Sequence, residues 1–231
     1  MAEPLTVATY NVHGFAGACG RPDPERIAAV VREIDADVLA LQEVVYPAAV
    51  DLAPRTLERR FPGYHCVAAP TRPHGSGLLG NAILSRLEVR AAQRFDLSRH
   101  RREPRGALQV TVDCGGADLS VVTAHFGLRH RERRHQSRSL IRLLTQPLAP
   151  FLILLGDFND WLPGSPVIRR LQAHLGRSPR VPSYPARWPL LALDRIWVHP
   201  GSALLEVSVH RSEAARRASD HLPLVARVAR P

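Results

Sequence analysis

"FLILLGDFND", residues 151–160, carries an unbroken apolar run, Phe151 to Leu155, into Gly156, Asp157, Phe158, Asn159 and Asp160. The run has the length and composition of a fully buried strand. The polar segment after Leu155 has two readings. Gly, Asp and Asn are turn formers, so it can be an ordinary turn. Alternatively, the strand end holds Asp157 and Asn159 in a cleft for chemistry. The rest of the chain decides between them.

Strand-like segments rich in Val, Leu, Ile and Thr recur at Leu5–Asn11, Val38–Gln42, Asn81–Ser85, Ala107–Asp113, Leu119–Ala124, Phe151–Leu155, Leu193–Val198 and Leu222–Val228. The clearest helical pattern is "DPERIAAVVREID", with Asp23 as N-cap, Pro24 at the first helical position and Ile27, Val30, Val31 and Ile34 on one face. A second helix is predicted over Arg131–Leu144, closed by Pro147, and a third near Ala48–Arg60, where Pro54 calls for a break or late start. Many strands follow one another with no room for a helix between them. That excludes a strictly alternating doubly wound sheet and predicts two mixed sheets packed face to face with helices outside, an α/β sandwich. With no repeat or linker, residues 1–231 are expected to form a single domain.

Composition narrows the function classes. Three cysteines, Cys19, Cys66 and Cys114, lack CxxC spacing, which argues against a disulfide framework or zinc site and for a reducing compartment. The start "MAEPLTVATYNV" does not read as a signal peptide, and no run of about 18 apolar residues occurs, so a cytoplasmic protein is expected. Net charge is +10, and every basic residue is Arg. The absence of Lys reflects coding bias, but the charge excess favours polyanions such as nucleic acid or anionic lipid.

The informative pattern is where polar groups fall. Asn11 ends the first predicted strand, and Gln42 and Glu43 end the second; His125 follows the fifth, and Asp157 and Asn159 follow the sixth. Asp194 opens "LDRIWV", and Asp220 and His221 precede "LPLVA". Each has a bland reading: Asn11 as a turn residue, Glu43 paired with an arginine, His125 as a satisfied core histidine, Asp194 paired with Arg195, Asp220–His221 as an N-cap or turn. All of them falling at strand ends points instead to one rim of a sheet, where catalytic groups sit on loops held by a rigid scaffold. The chemistry that fits is hydrolysis of a phosphate ester with a hard divalent cation. Glu43, Asn11 and Asp220 supply oxygen ligands suited to Mg2+, with Mn2+ as a substitute. Asp157 can deprotonate an attacking water that Asn159 helps to fix. Imidazoles can stabilise charge on the phosphoryl oxygens or protonate the leaving oxygen, with Asp194 orienting a histidine.

"TYNVHG", "LALQEV", "GNAILSR", "TAHFGL", "LLGDFND", "LDRIWV" and "SDHLPLVA", in that order from Thr9 to Ala226, resemble the endonuclease/exonuclease/phosphatase superfamily. The resemblance implies a four-layer α/β sandwich with two central sheets. Residue by residue, it implies that Glu43 binds the metal with Asn11 beside it and Asp220 on the metal side. It further implies that Asp157 orients the nucleophilic water, Asn159 contacts the phosphate, His125 serves as acid or phosphate ligand, and His221 contacts the phosphate while paired with Asp194. "TAHF" resembles the branch containing secreted DNases, sphingomyelinases and uncharacterised bacterial hydrolases. His13 stands where the abasic-site endonuclease branch tends to carry an acid.

For the substrate, nucleic acid is the first expectation, drawn from the charge and from "SRHRREPRG" (98–106) and "GLRHRERRHQSR" (127–138). Arg105, which leads into a strand, Asn81 of "GNAILSR", and Arg131 and Arg134 on one predicted helix face are the expected substrate contacts. The second expectation is a phospholipid or small phosphodiester. No exposed aromatic hairpin is evident, since Trp161, Trp188 and Trp197 are scattered and Trp197 reads as core. A silent phosphate-binding scaffold is disfavoured because every expected catalytic side chain is present. The protein is expected to be a monomer.

Overall fold

In β8 (Leu152–Asp157), Leu152 and Leu154 face one apolar layer while Ile153 and Leu155 face another, the alternation of a strand buried on both sides. A computed structural model describes residues 3–17, 20–145 and 149–231; Cys19 and Pro147 lie outside them. The strand pairs in parallel with β7 (Ala117–His125) and antiparallel with β9 (Asp194–His199). With β5 (Val89–Asp96) and β6 (Gly106–Cys114) these make a five-stranded sheet in the order β5-β6-β7-β8-β9. The second sheet has six strands, β10 (Leu204–Val209), β11 (Leu224–Val228), β1 (Leu5–Asn11), β2 (Val38–Tyr46), β4 (Gly77–Ser85) and β3 (His65–His74), in that spatial order. Its parallel pair is β1–β2.

Leu5, Val7, Val38 and Ala40 of one sheet meet Val110, Val121, Ile153, Leu155 and Ile196 of the other in the central core. The outer faces are covered by helices. Helices α1 (Pro24–Ile34) and α2 (Ala53–Arg60) place Ile27, Val30, Val31 and Leu57 on the six-stranded sheet, and α5 (Glu213–Ala218) adds Ala215 and Ala218. Helices α3 (His130–Leu144) and α4 (Pro166–Leu175) place Leu140, Leu144, Val167 and Leu171 on the five-stranded sheet. The architecture is therefore the four-layer α/β sandwich.

All eight expected strands are present. The three that sequence pattern did not reveal, β3, β5 and β10, are edge strands. Strand β5 is exposed along most of its length and β10 exposes Leu205 and Glu206, so neither carries a two-sided apolar signal. The helix expected near Ala48–Arg60 starts late, at Ala53, with Pro54 in its first turn. Helices α4 and α5 were not anticipated; Ser165 caps α4 by accepting from the Val167 N–H. Cys66 and Cys114 are buried free thiols. Among the described residues no helix is long and apolar enough to cross a membrane.

One buried ion pair ties α3 to the turn after β8. Arg133 Nε lies 3.3 Å from Asp160 Oδ2, which also accepts from Ser165 Oγ at 2.7 Å. Arg133→Met would leave Asp160 charged and buried without its cation. Urea denaturation should register a loss of about 3–5 kcal/mol; a loss within the error of the measurement would show that Asp160 is satisfied without Arg133.

Candidate active site

The inward-facing positions of four strands change from apolar to polar at the same end of the sandwich. Thr9 and Asn11 of β1, Gln42 of β2, Thr123 and His125 of β7 and Asp157 of β8 continue the faces that bury Val7, Ala40, Val121 and Leu155. Beneath the opening, Gln42 links the sheets: Thr9 Oγ1 donates to Gln42 Oε1 at 3.1 Å, and Gln42 Nε2 donates to Thr123 Oγ1 at 3.0 Å. Above this bridge lies a cleft of about 450 Å³ lined by Asn11, Glu43, His125, Asp157, Asn159 and His221, together with His13, Arg72, Arg105, Tyr184 and Asp220. Residues 146 positions apart in sequence touch here, as Asn11 Nδ2 donates to Asp157 Oδ2 at 3.0 Å.

The segment "GDFN" forms a turn and also places Asp157 and Asn159 on the cleft lining. Asp157 Oδ1 accepts from the Asn159 N–H at 2.9 Å, closing a side-chain turn, and Asn159 sits at φ 51° with its Nδ2 donating to the Phe126 carbonyl. Gly156, at φ 149°, lies so close to β7 that a Cβ would come within 2.1 Å of the Ala124 carbonyl oxygen. Phe158 is fully buried and packs edge-on against Phe126 and Trp197, anchoring the turn from below while Asp157 faces the cleft.

Glu43 owes its orientation to a backbone irregularity. The register of β2 against β4 shifts between Leu41 and Val44, and Glu43 there adopts φ 56°. Strained, bulged positions of this kind re-aim side chains at functional sites. Glu43 makes no ion pair with an arginine among the described residues. Its Oε1 accepts from Asn11 Nδ2 at 3.3 Å and lies 3.8 Å from His125 Nε2.

The two histidines are held in opposite states. His221 Nδ1 lies 2.9 Å from Asp194 Oδ2, which also accepts from Ser183 Oγ, and its ring rests on Tyr184. Burial disfavours the His221 cation, but Asp194, Asp157 and Asp220 outweigh it and raise the pKa to about 10. His125 is pushed the other way, well below the usual histidine range, by burial and by the Arg105 guanidinium. Arg105 Nη1 lies 2.9 Å from His125 Nδ1; an arginine only donates, so the neutral ring carries its proton on Nε2. Nε2 lies 3.6 Å from Asp157 Oδ2 and 3.8 Å from Glu43 Oε1, beyond direct hydrogen-bond distance of either. Asp157 has its pKa raised to about 6, chiefly by burial, with His221, Asn11 and Asn159 opposing. At neutral pH the cleft thus holds an ionised Asp157 beside a cationic His221 and a neutral His125.

Asp157, Asp194 and His221 lie close enough together to hold a cation, but the His221 cation itself stands between the two carboxylates, hydrogen-bonded to Asp194 and 3.8 Å from Asp157. The oxygen set at the other wall fits a hard divalent ion better, because Glu43 faces the cleft without an arginine partner and Asn11 and Asp220 line the same opening. Asp220 is not bonded to Glu43; it lies 3.5 Å from His13 Nδ1, and Ser219 fastens its turn to β1 through the Asn11 carbonyl at 2.7 Å.

Not every expected substrate contact falls in the cleft. Asn81 is 2% exposed and spends its amide on the Gly106 carbonyl, bridging the two sheets beside Arg105. Arg131 and Arg134 are exposed on α3, outside the cleft lining. Arg105 does line the cleft, braced through Glu103 to Arg72. Arg72, Ser183 and Tyr184 were not anticipated, and no local sequence signal distinguishes them. Asp194 and Arg195 do not pair: alternation along β9 sends Asp194 inward and Arg195 outward, where it donates to the Pro179 carbonyl. The aromatic residues are also arranged differently from expectation. Tyr184 and Leu191, which both line the cleft, pair across a short loop that exposes Trp188 and Leu190, 71% and 72% accessible.

Comparison with known proteins identifies the fold and the family. YbhP, an uncharacterized protein of Escherichia coli K12, is 30% identical in an alignment of 243 positions that covers 96% of this chain and 95% of YbhP. The endonuclease/exonuclease/phosphatase from Beutenbergia cavernae superposes with a TM-score of 0.79 at 24% identity, over 99% of this chain and 72% of that one. The human nocturnin catalytic domain does so with a TM-score of 0.74 at 21% identity, over 99% and 94%. Residues 8–221 match the family model described as Endonuclease/Exonuclease/phosphatase, and the chain belongs to that family of phosphoester hydrolases.

Proposed function

We propose that the protein is a divalent-metal-dependent phosphodiester hydrolase acting on nucleic acid, as a monomer in the cytoplasm. The observation that carries the chemistry is the convergence on one oxygen of Asp157 of Asn11 at 3.0 Å, His125 at 3.6 Å and His221 at 3.8 Å. Asp157, ionised and fixed by the Asn159 N–H, takes the proton of the attacking water. The His221 cation, held by Asp194, stabilises negative charge on the phosphoryl oxygens, and neutral His125 donates its Nε2–H to the same group. Glu43 and Asn11, with Asp220 at the same rim, would hold Mg2+ or Mn2+. When bound, that ion neutralises charge developing on the phosphoryl and leaving oxygens.

Chelation tests the metal. Turnover of bis-p-nitrophenyl phosphate should vanish in excess EDTA and return with Mg2+ or Mn2+. Glu43→Gln should shift the metal midpoint to higher concentration, because one anionic ligand is lost with its shape kept. Full activity in EDTA would refute the assignment.

The net charge of +10 supports the choice of nucleic acid. Since Arg131, Arg134 and Arg138 lie on the exposed face of α3, a substrate reaches them only if it extends beyond the cleft, as a duplex does. Changing all three to Gln should flatten the slope of log affinity for DNA against log salt by roughly two to three units. An unchanged slope would mean that they face solvent only. Exposed Trp188 and Leu190 favour a second reading, a phospholipid substrate met at an anionic surface. Assays on plasmid DNA, RNA, sphingomyelin and cardiolipin separate the two.

A further inference from the structure

A second cavity, of about 500 Å³, adjoins the catalytic cleft and shares one wall with it: Trp161, which comes directly after "GDFND", lines both. Its polar lining is one-signed. Arg177, Arg180 and Arg195 contribute, and no carboxylate lines it. Arg177 and Arg180 are exposed, whereas Arg195 is 4% exposed. The only hydrogen bond Arg195 makes among the described residues is from Nη1 to the Pro179 carbonyl, 3.1 Å away. Its Nε and the hydroxyl of Ser178, also on the lining, are buried without partners. Buried polar groups ordinarily find partners, so unpaired donors beside a three-arginine pocket mark a place for an acceptor-rich ligand. Asp160, hydrogen-bonded to Arg133 and Ser165, and Asp194 act on Arg195 from a distance, but burial and the neighbouring Arg180 outweigh them and disfavour its charge, a cost that a bound anion would relieve. Trp161, 37% exposed, adds a flat apolar face on the side of the scissile bond.

We propose that this pocket is a second phosphate subsite, which holds the neighbouring phosphate of a nucleotide chain while Trp161 stacks the base between it and the cleft. The volume suits a nucleotide, small-molecule sites spanning roughly 300–1,000 Å³. Arginine forks recognise phosphate through paired charge-assisted hydrogen bonds, and losing two of them costs well over tenfold in affinity. The inference rests on the reading of the cleft as a nucleic-acid phosphodiesterase site, but its binding arm stands apart from turnover.

The test compares the wild type with an Arg177→Gln/Arg180→Gln variant, whose changes lie at exposed positions, with thermal unfolding as the check on folding. Calorimetric titration with AMP, and with adenosine as the phosphate-free probe, should show AMP bound at least tenfold more weakly by the variant and the weak binding of adenosine unaltered. Equal AMP affinities in the two proteins would place the nucleotide in the catalytic cleft alone and overturn the subsite. In turnover, the ratio of kcat/KM on a short oligonucleotide to that on bis-p-nitrophenyl phosphate should fall at least tenfold in the variant, through KM. A parallel loss on both substrates would overturn it as well. If neither DNA nor RNA is hydrolysed by the wild type, the nucleic-acid reading fails, while the AMP titration still decides whether the pocket binds a nucleotide phosphate.

Discussion

Asp157→Asn is expected to lower kcat on any phosphodiester by about 10²–10⁴-fold, the scale on which a positioned base contributes. The side chain keeps its shape. Its single carbonyl oxygen can accept from the Asn159 N–H and close the turn, but its NH2 then faces the Asn11 amide, donor against donor, so that one bond is lost. The ability to accept a proton from water is what it loses. Burial raises the pKa of the carboxyl to about 6 in the metal-free protein and a cation bound beside it would lower it, so wild-type turnover should climb with pH through a midpoint at or below about 6 as the group ionises. The rise should be absent in whatever residual activity the variant retains. Removing the buried charge favours the variant, whereas losing the Asn11 bond and the attraction to His221 disfavours it, so thermal unfolding serves as the check that the variant is folded. A folded Asp157→Asn protein with near wild-type turnover would remove Asp157 from the role of base.

His221→Ala should be comparably damaging, about 10²–10⁴-fold, and Asp194→Asn milder. Both act through one cation, so the double variant should lose little beyond His221→Ala alone, whereas independent roles would multiply. NMR titration gives a reading independent of turnover. His221, raised to about 10 in the folded protein against burial by its three neighbouring carboxylates, should titrate at a clearly lower pH in Asp194→Asn. The same shift sets the sign for stability. A histidine whose folded pKa exceeds its unfolded value contributes stabilisation fully present below about 6.5 and lost as pH rises through about 10. The wild type should therefore lose stability between those values, and Asp194→Asn should lose less. A titration unmoved by the Asp194 change would show that the ion pair does not hold the charge.

Much of this site was legible in the sequence because strand alternation is local. Once "FLILL" is a strand buried on both faces, Asp157 lies two residues beyond Leu155 and must continue its face; the same arithmetic places Asn11 beyond Thr9 and His125 beyond Thr123. Asp23 and Pro24 marked the start of α1, and "GDFN" announced a turn, because caps and turns are set by residues a few positions apart. Other features depend on what a neighbouring strand or loop does. The orientation of Glu43 comes from a bulge against β4 that no residue type in "LQEV" demands. The protonation of the histidines comes from partners distant in sequence: Arg105, 20 residues before His125, and Asp194, 27 before His221. Arg131 and Arg134 shared a helix face as expected, but only the packing of α3 on the five-stranded sheet decided that this face lies outside the cleft. The same holds for Trp188, scattered in sequence yet exposed on the loop that the pairing of Tyr184 with Leu191 closes. The sequence by itself determined which side chains stand at the strand ends and on which face, because periodicity is a property of a few consecutive residues. The tertiary structure alone decided which of them meet, and in what charge state, because burial and Coulomb interactions depend on distances that chain order does not specify.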